Sequence, residues 1–186
     1  IPSEIYLFSD ETILLVQPYC VKDGNYEERN TRRYNPNGQL IDAFTLGDGI
    51  SHMKIDERDT IWMSYFDEGV FGNFSWEQPI GSDSLVAFSR AGKKLWGANT
   101  YEIVDCYALN VVGSNQVYFY DYTDFQLVEL SAMNEVSRYK VEGDDSYEQF
   151  MFDANGVIAQ IDAYTVMRYR IRNRTISPKE KIQVCR

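Results

Sequence analysis

The chain has 186 residues, of which 44% are hydrophobic and 15% aromatic, and its formal net charge is −10 at pH 7. This acidic balance repels phosphate backbones and therefore disfavours general nucleic-acid binding. The many Tyr and Phe residues favour strands over helices, because aromatic side chains suit a pleated, half-buried surface.

Four segments in chain order share one layout, in which an apolar strand and a polar turn are followed by a strand that begins with Ile or Val. The paired strands are 5–10 and 12–19, 51–56 and 60–65, 108–112 and 117–122, and 149–153 and 157–164. A second hairpin follows each pair, so each unit contains four antiparallel strands. The anchors Ile13, Ile61, Val117 and Val157 lie 48, 56 and 40 residues apart, a spacing that brackets one propeller blade.

These units predict an all-β fold, a single β-propeller domain over residues 1–186. Their approximate bounds are 4–49, 50–100, 101–143 and 144–186. One four-stranded sheet cannot cover both of its faces, so consecutive blades must pack face to face. The chain is either a four-bladed ring or part of a larger propeller. In the second case an open blade edge would promote self-association.

The second unit carries a family resemblance. Residues 49–69 read Gly-Ile-Ser-His-Met-Lys-Ile-Asp-Glu-Arg-Asp-Thr-Ile-Trp-Met-Ser-Tyr-Phe-Asp-Glu-Gly. This stretch resembles the repeat of bacterial regulator-type and NHL-like propellers, in which a strand, an Asp and a turn precede Ile-Trp. The third unit has Val117-Tyr118 and the fourth Val157-Ile158 at the Ile-Trp position. The resemblance implies an architecture and no particular reaction.

The connection from Phe66 to Ser82 is unusually long, and such loops commonly bind something. It combines aromatic and acidic residues, namely Phe71, Phe74 and Trp76 with Asp67, Glu68 and Glu77. Rings supply stacking area and carboxylates pair with cations, so this composition predicts a site for a sugar, an amine or a peptide. The alternative is that the rings only cover the edge of the blade.

Carboxylates elsewhere offer a weaker hypothesis. Asp67 and Glu68 are adjacent, and on an extended chain they would point to opposite faces and could not act as an acid–base pair. Asp121 and Asp162 end equivalent strands, and together with Asp67 in a channel they could bind calcium or magnesium. The alternative role for these residues is closing turns.

Basic residues are concentrated at the C-terminal end, where Arg168, Arg170, Arg172 and Arg174 recur at every second position. On a strand this spacing places the guanidinium groups on one face. The residues after Tyr164 carry a net charge of +6, against −16 for the residues before them. The stripe is either a solvated face or a binding site for an anion or an acidic partner.

The single histidine, His52, alternates with apolar residues on a strand and suggests no catalytic set. Cys20, Cys106 and Cys185 are widely spaced, which predicts three reduced thiols. No apolar run approaches the ~20 residues of a membrane span and no leader opens the chain, so we expect a cytoplasmic protein without membrane association.

The leading functional hypothesis is therefore a non-enzymatic propeller that binds an unidentified protein or small molecule and needs no cofactor. The alternatives are a metal-dependent lactonase-like or lyase-like enzyme and the ligand-sensing module of a larger regulator.

Overall fold

A computed structural model describes residues 4–72, 76–113, 115–143 and 147–183. Within these residues the chain is all-β, with eighteen strands and one short helix. It divides into two compact units, Ile1–Cys106 and Tyr107–Arg186. The described residues include no helix that is long and apolar enough to cross a membrane.

The first unit contains two four-stranded antiparallel sheets. Sheet 1 has the order β1-β2-β5-β6 and sheet 2 the order β10-β9-β8-β7. The strands are β1 (Glu4–Leu7), β2 (Ile13–Val16), β3 (Lys22–Asp23), β4 (Tyr26–Glu27), β5 (Thr31–Tyr34), β6 (Leu40–Phe44), β7 (Ile50–Ile55), β8 (Ile61–Tyr65), β9 (Leu85–Phe88) and β10 (Lys94–Gly97). The small hairpin β3–β4 and the helix α1 (Asp67–Phe71) lie in connections between strands.

The second unit contains one eight-stranded sheet made of two antiparallel halves, which we name sheet 3 (β11 to β14) and sheet 4 (β15 to β18). The strands are β11 (Cys106–Val112), β12 (Gln116–Asp121), β13 (Gln126–Ser131), β14 (Asn134–Val141), β15 (Gln149–Asp153), β16 (Gly156–Asp162), β17 (Thr165–Arg172) and β18 (Thr175–Gln183). The two halves are joined into one sheet by a short parallel pairing of β14 with β18. The predicted all-β fold is confirmed, with four-stranded antiparallel sheets in the first unit and one eight-stranded sheet in the second, where two separate four-stranded sheets were predicted.

Two elements were not predicted from the sequence. The connection after β2 contains the hairpin β3–β4, and the long connection after β8 contains α1, a single helical turn. Five residues are too few to show a helical period in the sequence. The assumption that Asp67 and Glu68 lie on an extended chain was therefore wrong, because both lie in the first turn of α1.

The Asp-turn-Ile-Trp pattern of the second unit has a direct structural explanation. One carboxylate oxygen of Asp56 accepts hydrogen bonds from the backbone N–H groups of Arg58 and Thr60, each at 2.9 Å. Its other oxygen accepts the indole N–H of Trp62 at 3.2 Å. The buried carboxylate thus closes the β7–β8 turn and fixes the orientation of the tryptophan.

The core of the first unit forms where sheets 1 and 2 pack face to face. Leu14 and Val16 of sheet 1 belong to the same buried cluster as Met53, Ile61 and Met63 of sheet 2. At the edge of this contact, Arg90 in the β9–β10 turn pairs with Asp10 in the β1–β2 turn. Apolar burial at ~25 cal/mol per Å² dominates such an interface, and exposed ion pairs add little.

The core of the second unit is aromatic. The Tyr120 and Tyr147 rings stack with centroids 4.6 Å apart, and Tyr147 also contacts Tyr169 at 5.1 Å. Tyr118 of sheet 3 meets Phe152 of sheet 4 at 4.4 Å. Many of the aromatic residues that favoured strands in the sequence therefore pack sheet 3 against sheet 4.

One glycine pair sets how closely the connections of the first unit approach. Gly49 has φ +64°, and a Cβ there would lie 2.3 Å from the backbone nitrogen of Gly69 in α1. We predict that Gly49→Ala lowers the free energy of unfolding by more than about 2 kcal/mol, because neither backbone can move away without loss of packing.

Gly24→Ala is the matched control for this substitution. Gly24 also has a positive φ, +57°, but a Cβ there would meet no atom within 4 Å. Gly24→Ala should lower the free energy of unfolding by only about 1 kcal/mol, because only the left-handed backbone conformation is strained. Urea denaturation of both variants measures the difference, and equal losses would show that the close approach of Gly49 to Gly69 contributes nothing.

Candidate functional site

The candidate site lies where four connections of the first unit meet. These connections follow β2, β6, β8 and β10, and their described residues are 17–30, 45–49, 66–72 with 76–84, and 98–105. We call this surface the loop face. The N–H of Ile50 donates to the carbonyl of Pro18, and the N–H of Phe66 donates to the carbonyl of Gly49, both at 3.0 Å. Backbone hydrogen bonds thus join the first three connections.

Buried polar side chains fix the inner layer of the loop face. The side-chain amide of Asn30 donates to the carbonyls of Gln17 and Gly47, each at 2.8 Å, and its oxygen accepts the N–H of Leu46. The carboxylate of Asp48 accepts the N–H of Cys20 at 2.9 Å. These contacts hold the connections after β2 and β6 together in one rigid arrangement.

Trp76 belongs to this inner layer. Its side chain is only 5% exposed, and its indole N–H donates to the carbonyl of Cys20 at 3.2 Å. The ammonium of Lys22 lies 5.0 Å from the centre of the ring. In this position Trp76 joins its own connection to the connection after β2, and its ring is buried. Phe74 lies outside the described residues.

The other aromatic residues of the loop face are accessible. Phe71 is 68% exposed on α1, and Tyr19 is 55% exposed with its ring in edge contact with Phe66 at 5.9 Å. Asp67 lies one turn before Phe71 on α1, so the carboxylate and the ring occupy the same side of the helix. Glu68 and Glu77 are exposed on the same connection.

A carboxylate pair gives the loop face its electrostatic character. Asp105 precedes β11 and is half-buried, close enough to Asp67 for the two charges to interact. Burial, with the Asp67 charge as the second cause, raises the pKa of Asp105 to about 6. Near neutral pH this site therefore holds two like charges, one of them partly removed from water.

Asp105 was missed from the sequence, although a signal existed. It stands directly before β11 at the end of an inter-sheet connection, and Asp48 stands two residues before β7 at the end of another. Comparing the two connections would have drawn attention to both acids. The sequence alone could not show that the connection before β11 approaches α1.

The other candidate residues lie in the second unit. Arg168, Arg170 and Arg172 occupy one face of β17, because the alternate residues Met167, Tyr169 and Ile171 contact the core on the other face. Arg168 pairs with Asp153 at 3.1 Å. Arg170 and Arg172 are exposed. The anion-binding hypothesis for this stripe stays a prediction.

Asp121 and Asp162 each close their own turn. Asp121 accepts the N–H of Asp124, and Asp162 accepts the N–H of Tyr164, both at 2.8 Å. Burial raises the pKa of Asp121, whereas the backbone N–H of Tyr164 lowers the pKa of Asp162. In the described parts of the chain no three His, Cys, Asp or Glu side chains group closely enough to hold a metal ion. Calcium or magnesium binding here stays a prediction.

Sequence comparisons give no family assignment, since no family model and no curated protein matches the chain. Solved structures do match. A candidate 6-phosphogluconolactonase from Bacteroides uniformis has a TM-score of 0.59 at 10% identity, over 98% of this chain and 57% of its own. The computationally designed Ika8 protein has a TM-score of 0.57 at 9% identity, over 92% and 46%.

A third match is the extracellular domain of a candidate one-component system from B. thetaiotaomicron, with a TM-score of 0.53 at 9% identity over 95% of this chain and 22% of its own. The chain thus spans little more than half the length, or less, of these three structures. Identities this low show the fold alone, and that fold is propeller-like.

Trp76 and Phe71 belong to one connection but differ in burial. We therefore predict different losses of stability when each side chain is truncated to Ala. Trp76→Ala should lower the free energy of unfolding by roughly 3–5 kcal/mol, because it removes a buried ring and an indole hydrogen bond. Phe71→Ala should change it by less than about 0.5 kcal/mol, because the ring is exposed. Thermal or urea denaturation checks both. Similar losses for the two variants would contradict the assignment of Trp76 to the inner layer.

Proposed function

We propose that the four sheets are propeller blades and that the loop face of the first unit binds a small ligand carrying a protonated amine. The half-buried carboxyl group of Asp105, whose pKa is raised by burial and by the charge of Asp67, supports this most strongly. A half-buried carboxylate beside a second negative charge has an unfavourable ionised form. A bound cation compensates for both the desolvation and the repulsion by its charge, whereas a neutral sugar can only donate hydrogen bonds to the carboxylates.

The surroundings of the pair favour the same ligand class. The exposed rings of Tyr19 and Phe71 offer aromatic faces on the same surface, and such faces attract cations by about 0.5–1 kcal/mol at exposed sites. Glu68 and Glu77 add negative charge on the same connection. The rigid inner layer of Asn30, Asp48 and Trp76 supports the loop face, so little ordering should be needed on binding.

The pH dependence follows from the raised pKa of Asp105. Asp105 gains its charge as the pH rises through about 6, so the affinity for a cation should increase over this range and fall again on acidification. Substitution by Asn leaves a polar side chain of the same shape without the charge. It should weaken cation binding at neutral pH and remove most of the pH dependence.

Calorimetric titration with putrescine and with 2-phenylethylamine, each against its neutral analogue (1,4-butanediol and 2-phenylethanol), tests this proposal. We expect at least one cation to bind more tightly than its analogue, and Asp105→Asn to weaken that binding about tenfold or more, the effect of ~1.4 kcal/mol. Glu57→Gln is the matched control, because Glu57 is exposed in the turn at the opposite end of β8. Equal binding of cations and neutral analogues would contradict the proposal.

Lactone hydrolysis is the second candidate function. The match to a candidate 6-phosphogluconolactonase favours it, and a carboxylate with a pKa of about 6 could act as a general base toward water. Water would add to the lactone carbonyl, and the ring C–O bond would break to give a hydroxy acid. A pH-stat assay with glucono-δ-lactone, corrected for spontaneous hydrolysis, should then show turnover that Asp105→Asn abolishes and Glu57→Gln retains.

A sensing role is compatible with amine binding, and the match to the extracellular domain of a candidate one-component system is consistent with it. A sensor and a simple binding protein would share the same loop-face chemistry. Titration of the 186-residue chain therefore tests both.

A further inference from the structure

The two faces of sheet 1 have different surroundings. One face carries Leu14 and Val16, which are buried in the cluster shared with sheet 2. The opposite face is also apolar but lies open, with Ile5 69% exposed and Leu7 64% exposed. We call this opposite face the head face. Ile5 and Leu7 occupy alternate positions of one strand, and together they form an exposed apolar patch of the kind that marks an interaction surface.

Sheet 2 shows what kind of contact these positions normally make. In sheet 1, Ile5 pairs with Leu15 and Leu7 with Ile13. In sheet 2, the corresponding pairs are Met53 with Met63 and Ile55 with Ile61. Met53, Ile61 and Met63 are at most 1% exposed, because sheet 1 packs on them. The head face of sheet 1 is thus equivalent to the face of sheet 2 that packs against sheet 1, but it lies exposed.

The outer face of sheet 4 is also exposed, and it is equivalent to the face of sheet 1 that packs on sheet 2. Phe150, Val157 and Tyr169 point into the core of the second unit. Met151 lies on the other side and is 58% exposed, beside a shallow groove of about 310 Å³ that Ile158 and Val166 also line. We call this outer side of sheet 4 the tail face.

The tail face resembles, position by position, the face with which sheet 1 covers sheet 2. Met151, Ile158 and Arg168 lie side by side across sheet 4. Tyr6, Leu14 and Arg33 lie side by side across sheet 1 in the same strand order. Both arginines form ion pairs, Arg33 with Asp42 at 2.7 Å and Arg168 with Asp153 at 3.1 Å. An ion-paired arginine is therefore compatible with packing, because sheet 1 has one at the equivalent position of the face that covers sheet 2.

We propose that a second copy of this chain docks head to tail, with the tail face of each copy on the head face of the other. The chain itself holds both halves of the interface, and the docking repeats the contact already made by sheet 1 on sheet 2. Two copies would bring eight sheets together, within the four to eight blades of known propellers. The designed Ika8 protein, of which this chain spans 46%, is about twice as long.

This proposal is independent of amine binding, because the head and tail faces contain no residue of the loop face. It also refines the sequence hypothesis of association through an open blade edge, since docking uses sheet faces and not strand edges. An interface between different surfaces either closes or grows into a filament. The proposal commits to the closed pair.

Sedimentation velocity of the 186-residue chain at tens of micromolar tests the proposal. We expect twice the chain mass of 21.6 kDa for the wild type. Ile5→Glu on the head face and Met151→Lys on the tail face should each sediment as a monomer. Both residues are exposed, so both variants should keep the wild-type circular dichroism spectrum. Val136→Lys, at a 49% exposed position on β14, is the control and should remain dimeric.

Sedimentation of a mixture of the two variants distinguishes head-to-tail docking from other modes of association. The intact tail face of Ile5→Glu can dock on the intact head face of Met151→Lys, and the two altered faces then bring opposite charges together. The mixture should regain the dimer mass that neither variant shows alone. A monomeric wild type would overturn the proposal, as would a mass that grows with concentration. A dimer that Ile5→Glu abolishes and Met151→Lys retains would instead indicate head-to-head pairing and would also overturn it.

Discussion

The burial of both faces of each four-stranded sheet is the constraint on which the rest of the structure depends. The strand Ile13–Val16 shows it in four residues, because all are apolar and burial alternates between full and partial along them. In each unit, two sheets meet this constraint on one face each, by packing against the other sheet. Apolar contact supplies the stability, and the exposed ion pairs at its edge add little.

The same packing creates the loop face. Once sheets 1 and 2 are face to face, the connections that leave the same ends of their strands are forced together. Asn30 and Asp48 satisfy the buried backbone of these connections, and Trp76 covers them. The outer layer is then free to hold groups that stability alone would not select. Asp105 beside Asp67 is such a group, because its raised pKa marks an ionised form that the fold disfavours.

The hairpins could be predicted from the sequence because alternation and turn residues are local signals, as at Gly38 and Gly92. The helix α1 could not, because one turn has no period. The contrasting positions of Phe71 and Trp76 could not be predicted either. Both are aromatic residues of one connection, and only the tertiary structure decides that the indole reaches the carbonyl of Cys20. Asp105 escaped detection because its partner Asp67 is distant in the chain.

The central claim is that packing of the sheets brings Asp67 and Asp105 together as an interacting carboxylate pair. Carbon-13 NMR titration of the aspartate carboxyl groups, assigned with Asp105→Asn, measures this directly. The account predicts a pKa of about 6 for Asp105 that falls when Asp67 is replaced by Asn, and that stays raised to a lesser extent because burial is the larger cause. A pKa near the ordinary value of ~3.9 for aspartate, unchanged by Asp67→Asn, would contradict it.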